Sequence, residues 1–243
     1  IDEVFQKKAT SEQFLANVYN FVPDESNAID GFPWVGTSDE ADLTWSGGPN
    51  YPVNIGNLGP ANQQFEKWGH YYRGIRSATY FMSRIDENEE IRTLDGQQRI
   101  DQYKAEARFL RAYYYFQLMQ QYGPVILLGD EVISPDAPAD ELQLPRSPFD
   151  ECVNYVVNEL DQAAAVLPLV PQRNGQESAA EYGRATKGYA LAVKARLLLY
   201  AASPQYNGNT DVAGFISAEG VPLISQTYDQ AKWQRAADAA KAV

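Results

Sequence analysis

The feature that most constrains the fold is a helical segment over residues 97–121 that is apolar on two opposed sides. At about 100° per residue, one face carries a first set of side chains: Ile100, Tyr103, Ala107, Leu110, Tyr114 and Leu118. Nearly opposite lies a second set: Ala105, Phe109, Ala112, Phe116 and Met119. A helix with two such faces has to pack between neighbours on both sides, as in stacked helical hairpins.

Five further segments have the three- and four-residue spacing of apolar side chains that predicts helices. They cover residues 11–21, 62–88, 148–167, 186–202 and 230–243. The starts of the second and third helices are separated by nearly the tetratricopeptide period of about 34 residues. The short stretch 125–128 could form a β segment, but no strand pattern competes in length with the helices. The sequence therefore predicts an all-α fold of tetratricopeptide-like helical hairpins.

Three connections are too long to be simple turns, because compact domains mostly use loops of about 4–6 residues. They comprise residues 22–61, 122–147 and 203–229. The first contains Trp34 and Trp45, whereas disordered segments are poor in aromatic residues. We therefore expect long irregular insertions, of which the first is ordered and packed on the helices.

The charge balance excludes some ligand classes. Acidic residues outnumber basic ones 32 to 20, which gives a formal charge of −12, and no cluster of Lys and Arg interrupts that field. Such a field repels nucleic acid and fits an uncharged ligand better than an anionic one. The same negative charge would also keep a secreted domain soluble.

The composition gives no indication of a metal site or a cofactor site. The single cysteine, Cys152, excludes an internal disulfide framework, and the single histidine, His70, excludes a multi-histidine metal centre. No apolar run approaches the ~18 residues that a membrane-spanning helix needs. We therefore expect no metal, no cofactor and no spanning helix within these residues.

Three segments resemble the signatures of a known family. The first is Ala-Glu-Ala-Arg-Phe-Leu-Arg-Ala-Tyr-Tyr-Tyr-Phe at residues 105–116, followed by Tyr122-Gly123-Pro124-Val125. The second runs over residues 183–200, and the third is Trp-x-x-x-Tyr-x-x-Ile at residues 68–75. Their sequence, order and spacing resemble the SusD/RagB family.

That resemblance implies a surface-exposed lipoprotein that holds a glycan or another nutrient for a SusC-like TonB-dependent transporter in the outer membrane. It implies a tetratricopeptide-like scaffold with an irregular remainder that bears the ligand site. Family members are longer than 243 residues, so residues 1–243 are expected to be the N-terminal part, without the C-terminal part. The lipid anchor is then expected before Ile1, on the extracellular face.

The first long loop supplies the candidate ligand-binding residues, and the resemblance implies that this region contributes to the ligand site in starch-binding members. An indole or phenol matches the apolar face of a sugar ring, while carboxylates and amides bond its hydroxyl groups. The candidates are Trp34, Asp39, Glu40, Trp45, Asn50 and Tyr51. In the alternative interpretation, the two tryptophans only fix the loop onto the helices.

Charged residues within the signature segments are predicted to be structural. Arg111 projects between the two apolar faces of its helix, where a guanidinium can tie neighbouring helices or a loop through its five donors. Glu106 and Arg108 belong to the same cluster. Thr186 and Lys187 are expected to provide a helix cap and a surface charge rather than a site.

Two other functions remain as alternatives to an oligosaccharide- or polysaccharide-binding protein. A tetratricopeptide-like scaffold could bind protein alone, without any sugar. An all-α glycoside hydrolase would need two carboxyl groups opposed across a cleft, about 5–9.5 Å apart. Adjacent acids such as Glu89 and Glu90 give no such evidence, so we expect no enzymatic activity.

Overall fold

A computed structural model describes residues 2–27, 34–44, 47–59, 61–134, 136–173 and 175–243. Within them the α-helices, α1 to α9 in chain order, are Lys8–Tyr19, Tyr51–Asn54, Trp68–Arg84, Glu89–Asp95, Gln97–Tyr122, Ala139–Leu142, Phe149–Val166, Lys187–Ala202 and Gln230–Lys241. Short 3₁₀ helices form at Asp2–Phe5, Val35–Thr37, Ile85–Glu87, Ala179–Glu181 and Thr210–Val212. An antiparallel pair, β1 at Gln172–Arg173 and β2 at Gln176–Glu177, places Gln172 opposite Glu177. The predicted all-α class is confirmed.

Helix α5 lies at the centre of the scaffold. It packs against α3 and against α7, while α7 packs on α8 and α8 packs on α9. This order of neighbours is that of stacked helical hairpins. All the side chains on the two predicted apolar faces of α5 are buried, so the prediction of a helix enclosed on both sides is confirmed.

Two helices begin where sequence periodicity did not place them. Helix α1 begins at Lys8, and the Thr10 hydroxyl donates to the carbonyl of Val4 at 2.6 Å instead of capping the helix. Helix α3 begins at Trp68 rather than near residue 62. The Trp68 amide donates to the phenol oxygen of Tyr122, on a different helix, at 3.1 Å. A contact made over a long sequence distance therefore holds the start of α3, whereas a local contact holds the first turn of α1.

The stretch 125–128 forms no strand, because tyrosine hydroxyls satisfy its backbone. The Tyr72 hydroxyl donates to the carbonyl of Ile126 at 2.9 Å and accepts from the Ile126 amide at 2.8 Å. The Tyr115 hydroxyl accepts from the Leu128 amide at 3.0 Å. This extended segment is thus fastened to α3 and α5 by side chains rather than by a ladder.

A buried guanidinium ties three helices and a loop together. Arg111 on α5 donates through Nε to the Glu159 carboxylate on α7 at 2.8 Å, and both side chains are almost fully buried. The same guanidinium donates to the Thr79 hydroxyl on α3 at 3.2 Å and to the Gly129 carbonyl at 2.9 Å. Burial alone would lower the pKa of Arg111, but Glu159, Tyr155 and Asp130 together outweigh burial and raise that pKa. Arg108 completes the cluster on the other oxygen of Glu159.

A second buried cluster joins α5 to the segment before α8. The Glu106 carboxylate accepts from the Tyr19 hydroxyl and from Arg184, each at 2.9 Å. Arg184 also lies 2.6 Å from the carboxylate of Glu181, which Arg99 holds at 2.8 Å from another side. Burial raises the pKa of Glu106 above its ordinary value, although Arg184 opposes the shift. These two clusters account for most of the buried charge in the described core.

Gly74 permits the close approach of α3 and α5. A Cβ atom at Gly74 would lie 2.8 Å from the Tyr114 ring and 3.0 Å from that of Phe21. We expect Gly74→Ala to lower the free energy of unfolding by about 1–3 kcal/mol, the usual cost of overpacking a core. Urea denaturation measures it. Gly69→Ala on the same helix, where a Cβ meets nothing within 4 Å, is the control and should stay within about 0.5 kcal/mol.

Candidate functional site

Two adjoining cavities lie where the loop after α1 meets the C-terminal end of α5. The first, of about 380 Å³, is bounded by Phe65 and Tyr122 and is called the Phe65 cavity here. The second, of about 430 Å³, is bounded by Arg196 and is called the Arg196 cavity. Trp34 and Gln120 line both of them. Each volume falls within the range of small-molecule pockets, about 300–1,000 Å³.

Trp34 lines both cavities. Its side chain is 38% exposed, and its ring meets the edge of the Phe65 ring with centroids 6.3 Å apart. The turn that follows it is held by Asn54 on α2, whose side-chain amide donates to the Gly36 carbonyl and to the Asp42 carboxylate, each at 3.0 Å. Helix α2 therefore fixes the loop, while part of the indole face stays open to solvent.

The Phe65 cavity is closed by the last turn of α5. The Gln121 side-chain amide donates to the carbonyl of Phe65 at 2.6 Å. The Tyr122 hydroxyl accepts from the Lys67 amide at 2.9 Å and from that of Trp68. Phe65 has a φ of 55°, a conformation that costs a side-chain-bearing residue about 1–2 kcal/mol. The bonds from α5 hold this strained backbone in place, and such strain is concentrated at ligand sites.

The Arg196 cavity is built from the loop and α8. Asp39 and Glu40 approach from the loop, and Arg196 and Tyr200 project from the same face of α8, four residues apart. The Arg196 guanidinium lies 6.0 Å from the Tyr200 ring centroid. The Tyr200 ring in turn meets the ring of Phe116 on α5 edge to face, at 5.7 Å. The cavity thus combines acidic, basic and aromatic groups.

The chemistry of the two cavities suits recognition of hydroxyl-rich molecules. The Phe65 cavity is lined by several side-chain amides, each of which both donates and accepts hydrogen bonds: Gln63, Gln64, Gln120 and Gln121. The indole of Trp34 offers an apolar face of the kind that packs on sugar C–H groups. Aromatic faces beside amides and carboxylates are the elements of a carbohydrate site.

Reactive groups lie away from these cavities. Burial raises the pKa of the Cys152 thiol to about 11, which makes it a poor nucleophile. Burial also lowers the pKa of His70, whose ring nitrogen lies 3.3 Å from the Phe21 carbonyl. Throughout the described part of the chain, no three His, Cys, Asp or Glu side chains are grouped to hold a metal ion. None of the described helices is long and apolar enough to cross a bilayer.

The structure brings only part of the predicted ligand set together. Trp34, Asp39 and Glu40 meet at the Arg196 cavity, whereas Trp45 lies outside the described residues. Asn50 is 1% exposed and lines neither cavity, since its side chain packs against Gly36, where a Cβ would come within 2.9 Å of its amide nitrogen. Tyr51, at the start of α2, is exposed but also lines neither cavity. The predicted set remains a prediction as a whole.

Sequence reasoning missed the contributions of α5 and α8. The sequence places Gln120 in the predicted helix 97–121, Tyr122 in the connection that follows it and Arg196 in the predicted helix 186–202, and it marks none of them as a ligand-binding residue. The available signal was two glutamines, Gln120 and Gln121, that interrupt the apolar face of α5 in its last turn. The spacing of Arg196 and Tyr200 on one helix face was a second signal.

Thr186 and Lys187 lie at the start of α8, outside both cavities. The Thr186 hydroxyl oxygen accepts from the Tyr189 amide at 3.3 Å and so caps the helix. The backbone amide of Lys187 donates to the Pro168 carbonyl at 2.8 Å. Both residues join α8 to the segment that follows α7.

Comparison with known proteins gives one family. A SusD-like family model, described as starch-binding and associating with the outer membrane, matches residues 3–199. The solved structure of the protein BT4246 is 32% identical with a TM-score of 0.81, over 96% of this chain and 39% of that one. A SusD-like carbohydrate-binding protein from Bacteroides fragilis is 25% identical with a TM-score of 0.65, over 82% of this chain and 38% of its own.

A third solved structure is similar to this chain in its fold but has a low sequence identity. A laminarin-binding SusD-like protein is 20% identical with a TM-score of 0.65, over 82% of this chain and 41% of that one. The chain therefore spans about two fifths of the length of the solved proteins that it matches. No curated protein matches it.

Proposed function

We propose, since this chain belongs to the SusD-like family, that it binds a carbohydrate in the two cavities beside Trp34. The observation that carries the proposal is the position of the Trp34 indole, which lines both cavities and remains 38% exposed. An indole fixed by a loop yet open on one face can stack on a sugar ring at little cost in side-chain order.

The surrounding polar groups support the same ligand class. Amides line the Phe65 cavity and carboxylates line the Arg196 cavity, and groups of both kinds can bond hydroxyl groups at the rim of a sugar ring beside Trp34. The family description as starch-binding and the carbohydrate-binding relative from Bacteroides fragilis agree with this class. The protein in this proposal holds its ligand without cleaving it.

The cellular role is part of the proposal. Residues 1–243 form the N-terminal, tetratricopeptide-like part of a longer protein that is lipid-anchored on the extracellular face of the outer membrane. It delivers its glycan to a SusC-like TonB-dependent transporter. The association of the family with the outer membrane supports this role.

The test is Trp34→Ala in the full-length protein, run in native gels that contain soluble starch, laminarin or another polysaccharide. We expect at least one glycan to retard the parent protein. The variant should lose about 30-fold or more in affinity, since a central aromatic contact contributes about 2 kcal/mol or more. Isothermal titration calorimetry with the retarding glycan measures the loss.

Trp233→Ala is the matched control, because Trp233 on α9 has the same exposed fraction of 38% but lines neither cavity. It should bind like the parent protein. Equal affinities of the parent protein and Trp34→Ala would show that the glycan binds outside these cavities. A protein that no glycan retards would contradict the carbohydrate-binding function itself.

A further inference from the structure

We infer that the Phe65 and Arg196 cavities are consecutive subsites for one uncharged glycan chain, and that Gln120 recognises the hydroxyl groups at their junction. The inference rests on the proposed function and specifies its ligand class. It follows from three observations: the two residues that the cavities share, the hydrogen-bonding state of Gln120, and the charges that face the cavities.

The two shared residues lie at the junction of the cavities. Trp34 and Gln120 both belong to the linings of the two cavities. A sugar chain that passes from one cavity to the other therefore crosses the indole face and the amide. A single sugar can fill only one of the spaces.

Gln120 carries a hydrogen-bonding atom that the described protein does not use. Its side-chain oxygen is buried, and no hydrogen bond from any described residue reaches it. A buried polar atom without a partner costs about 1–3 kcal/mol, so such atoms are retained where a ligand supplies the partner. The neighbouring amide of Gln121 is instead engaged with the Phe65 carbonyl, and of the four glutamines in the Phe65 cavity only Gln120 also lines the Arg196 cavity.

The position of Gln120 suits it to discriminate between ligands that have a hydroxyl group at this place and ligands that lack one. It lies in the last turn of α5, whose backbone is anchored by the buried core, and its side-chain oxygen is itself buried. A buried amide oxygen that bonds a hydroxyl rejects a ligand that lacks one at that place, because the protein atom is then left unsatisfied.

The charges that face the cavities exclude anionic sugars. Glu66 faces the Phe65 cavity, and Asp39, Glu40 and Arg196 face the other. Three carboxylates and one guanidinium give a formal charge of −2, within a chain of formal charge −12. A uronate or sulfate group would meet repulsion there, whereas neutral sugars bear no such cost.

The experiment titrates full-length protein with malto- and laminari-oligosaccharides of increasing length, from glucose upwards, and with oligogalacturonates of matched length. Affinity should rise by about tenfold or more between one sugar and the length that fills both cavities, and then level off. Gln120→Leu should weaken binding of the long neutral chains by about tenfold, the value of one hydrogen bond of about 1.4 kcal/mol. Its thermal midpoint should not fall, because no protein partner is lost.

Gln234→Leu, on the exposed face of α9, is the matched control and should bind like the parent protein. Affinity that is independent of length, or unchanged in Gln120→Leu, overturns the inference. Tighter binding of oligogalacturonate than of every neutral chain also overturns it. If Trp34→Ala abolishes binding in those cases, the proposed function survives without the inference. Failure of every neutral and charged sugar to bind overturns both.

Discussion

Replacement of Arg111 by methionine is expected to lower the free energy of unfolding by about 3–5 kcal/mol, the cost of removing one partner from a buried ion pair. The side chain of Arg111 is 1% exposed and that of Glu159 is 4% exposed. Without the guanidinium, the Glu159 carboxylate keeps only Arg108 as a partner in the described structure. The Gly129 carbonyl loses a donor as well, which loosens the loop after α5. Urea denaturation followed by circular dichroism measures the loss.

Two further variants make that result specific. Lys194→Met removes the ion pair that Lys194 on α8 makes with Asp161 at 2.6 Å. Since the Asp161 side chain is 48% exposed, the loss should stay below about 1 kcal/mol. The double variant Arg111→Met, Glu159→Met should recover much of the stability, because of the charges in the cluster it leaves only Arg108, at 24% exposure, without its Glu159 partner. Equal urea midpoints for Arg111→Met and the parent protein would show that the cluster adds nothing to stability.

Arg184→Met is expected to have a comparable effect, about 3–5 kcal/mol at pH 7, but one that depends on pH. Arg184 bonds the fully buried Glu106 at 2.9 Å and lies against Glu181. Burial already raises the pKa of Glu106, and loss of the guanidinium raises it further. Glu181 is also buried, yet Arg173 and the charges of Arg184 and Arg99 outweigh burial and lower its pKa. In Arg184→Met the pKa of Glu181 is therefore lowered by a smaller amount.

The sign of the pH dependence follows from these two shifts. A carboxylate whose pKa is raised in the folded state destabilises the fold progressively as the pH rises above its ordinary pKa, and the penalty is complete once the pH exceeds the raised pKa. The stabilising effect of the lowered pKa of Glu181 is itself lost as the pH falls below the ordinary value of 4.5. The deficit of Arg184→Met should therefore be largest near neutrality and shrink towards pH 4.5. Arg184→Lys retains a charge and should lose less. If Arg184→Met loses the same free energy of unfolding at pH 7 and at pH 4.5, the assigned roles of Glu106 and Glu181 in this pH dependence are wrong.

Helix α5 could be predicted from sequence almost to the residue. Its two apolar faces give a continuous helical period, and Gly123, at a φ of 68°, ends it one residue beyond the predicted boundary. Helix α4 was missed, because its seven residues are too few for periodicity to show. Its N-cap, Asn88, is the signal that could have found it, since the side chain accepts from the Ile91 amide at 2.8 Å.

The candidate site was harder to predict, because its parts are distant in sequence. Composition placed it in the first long loop, and Trp34, Asp39 and Glu40 do line a cavity there. Gln120 and Arg196 come from helices more than eighty residues later, and only tertiary packing brings them to Trp34. Residue type alone also cannot separate the exposed Trp34 from the buried Asn50, because burial depends on how the loop packs on itself.

The candidate site has one side on helix α5, where substitutions would disturb the core, and one side on a surface loop, where the sequence can vary. Two buried charge clusters fix the middle of this helix, and its last turn lines the candidate site. The position of that lining therefore depends on the packing of the core. The opposite wall is surface loop, which tolerates substitution and insertion without refolding the scaffold. If the proposed function holds, exchange of that loop between relatives changes the sugar preference while the helical base stays constant. A new ligand preference then requires changes in one surface segment and leaves the buried core of α5 as it is.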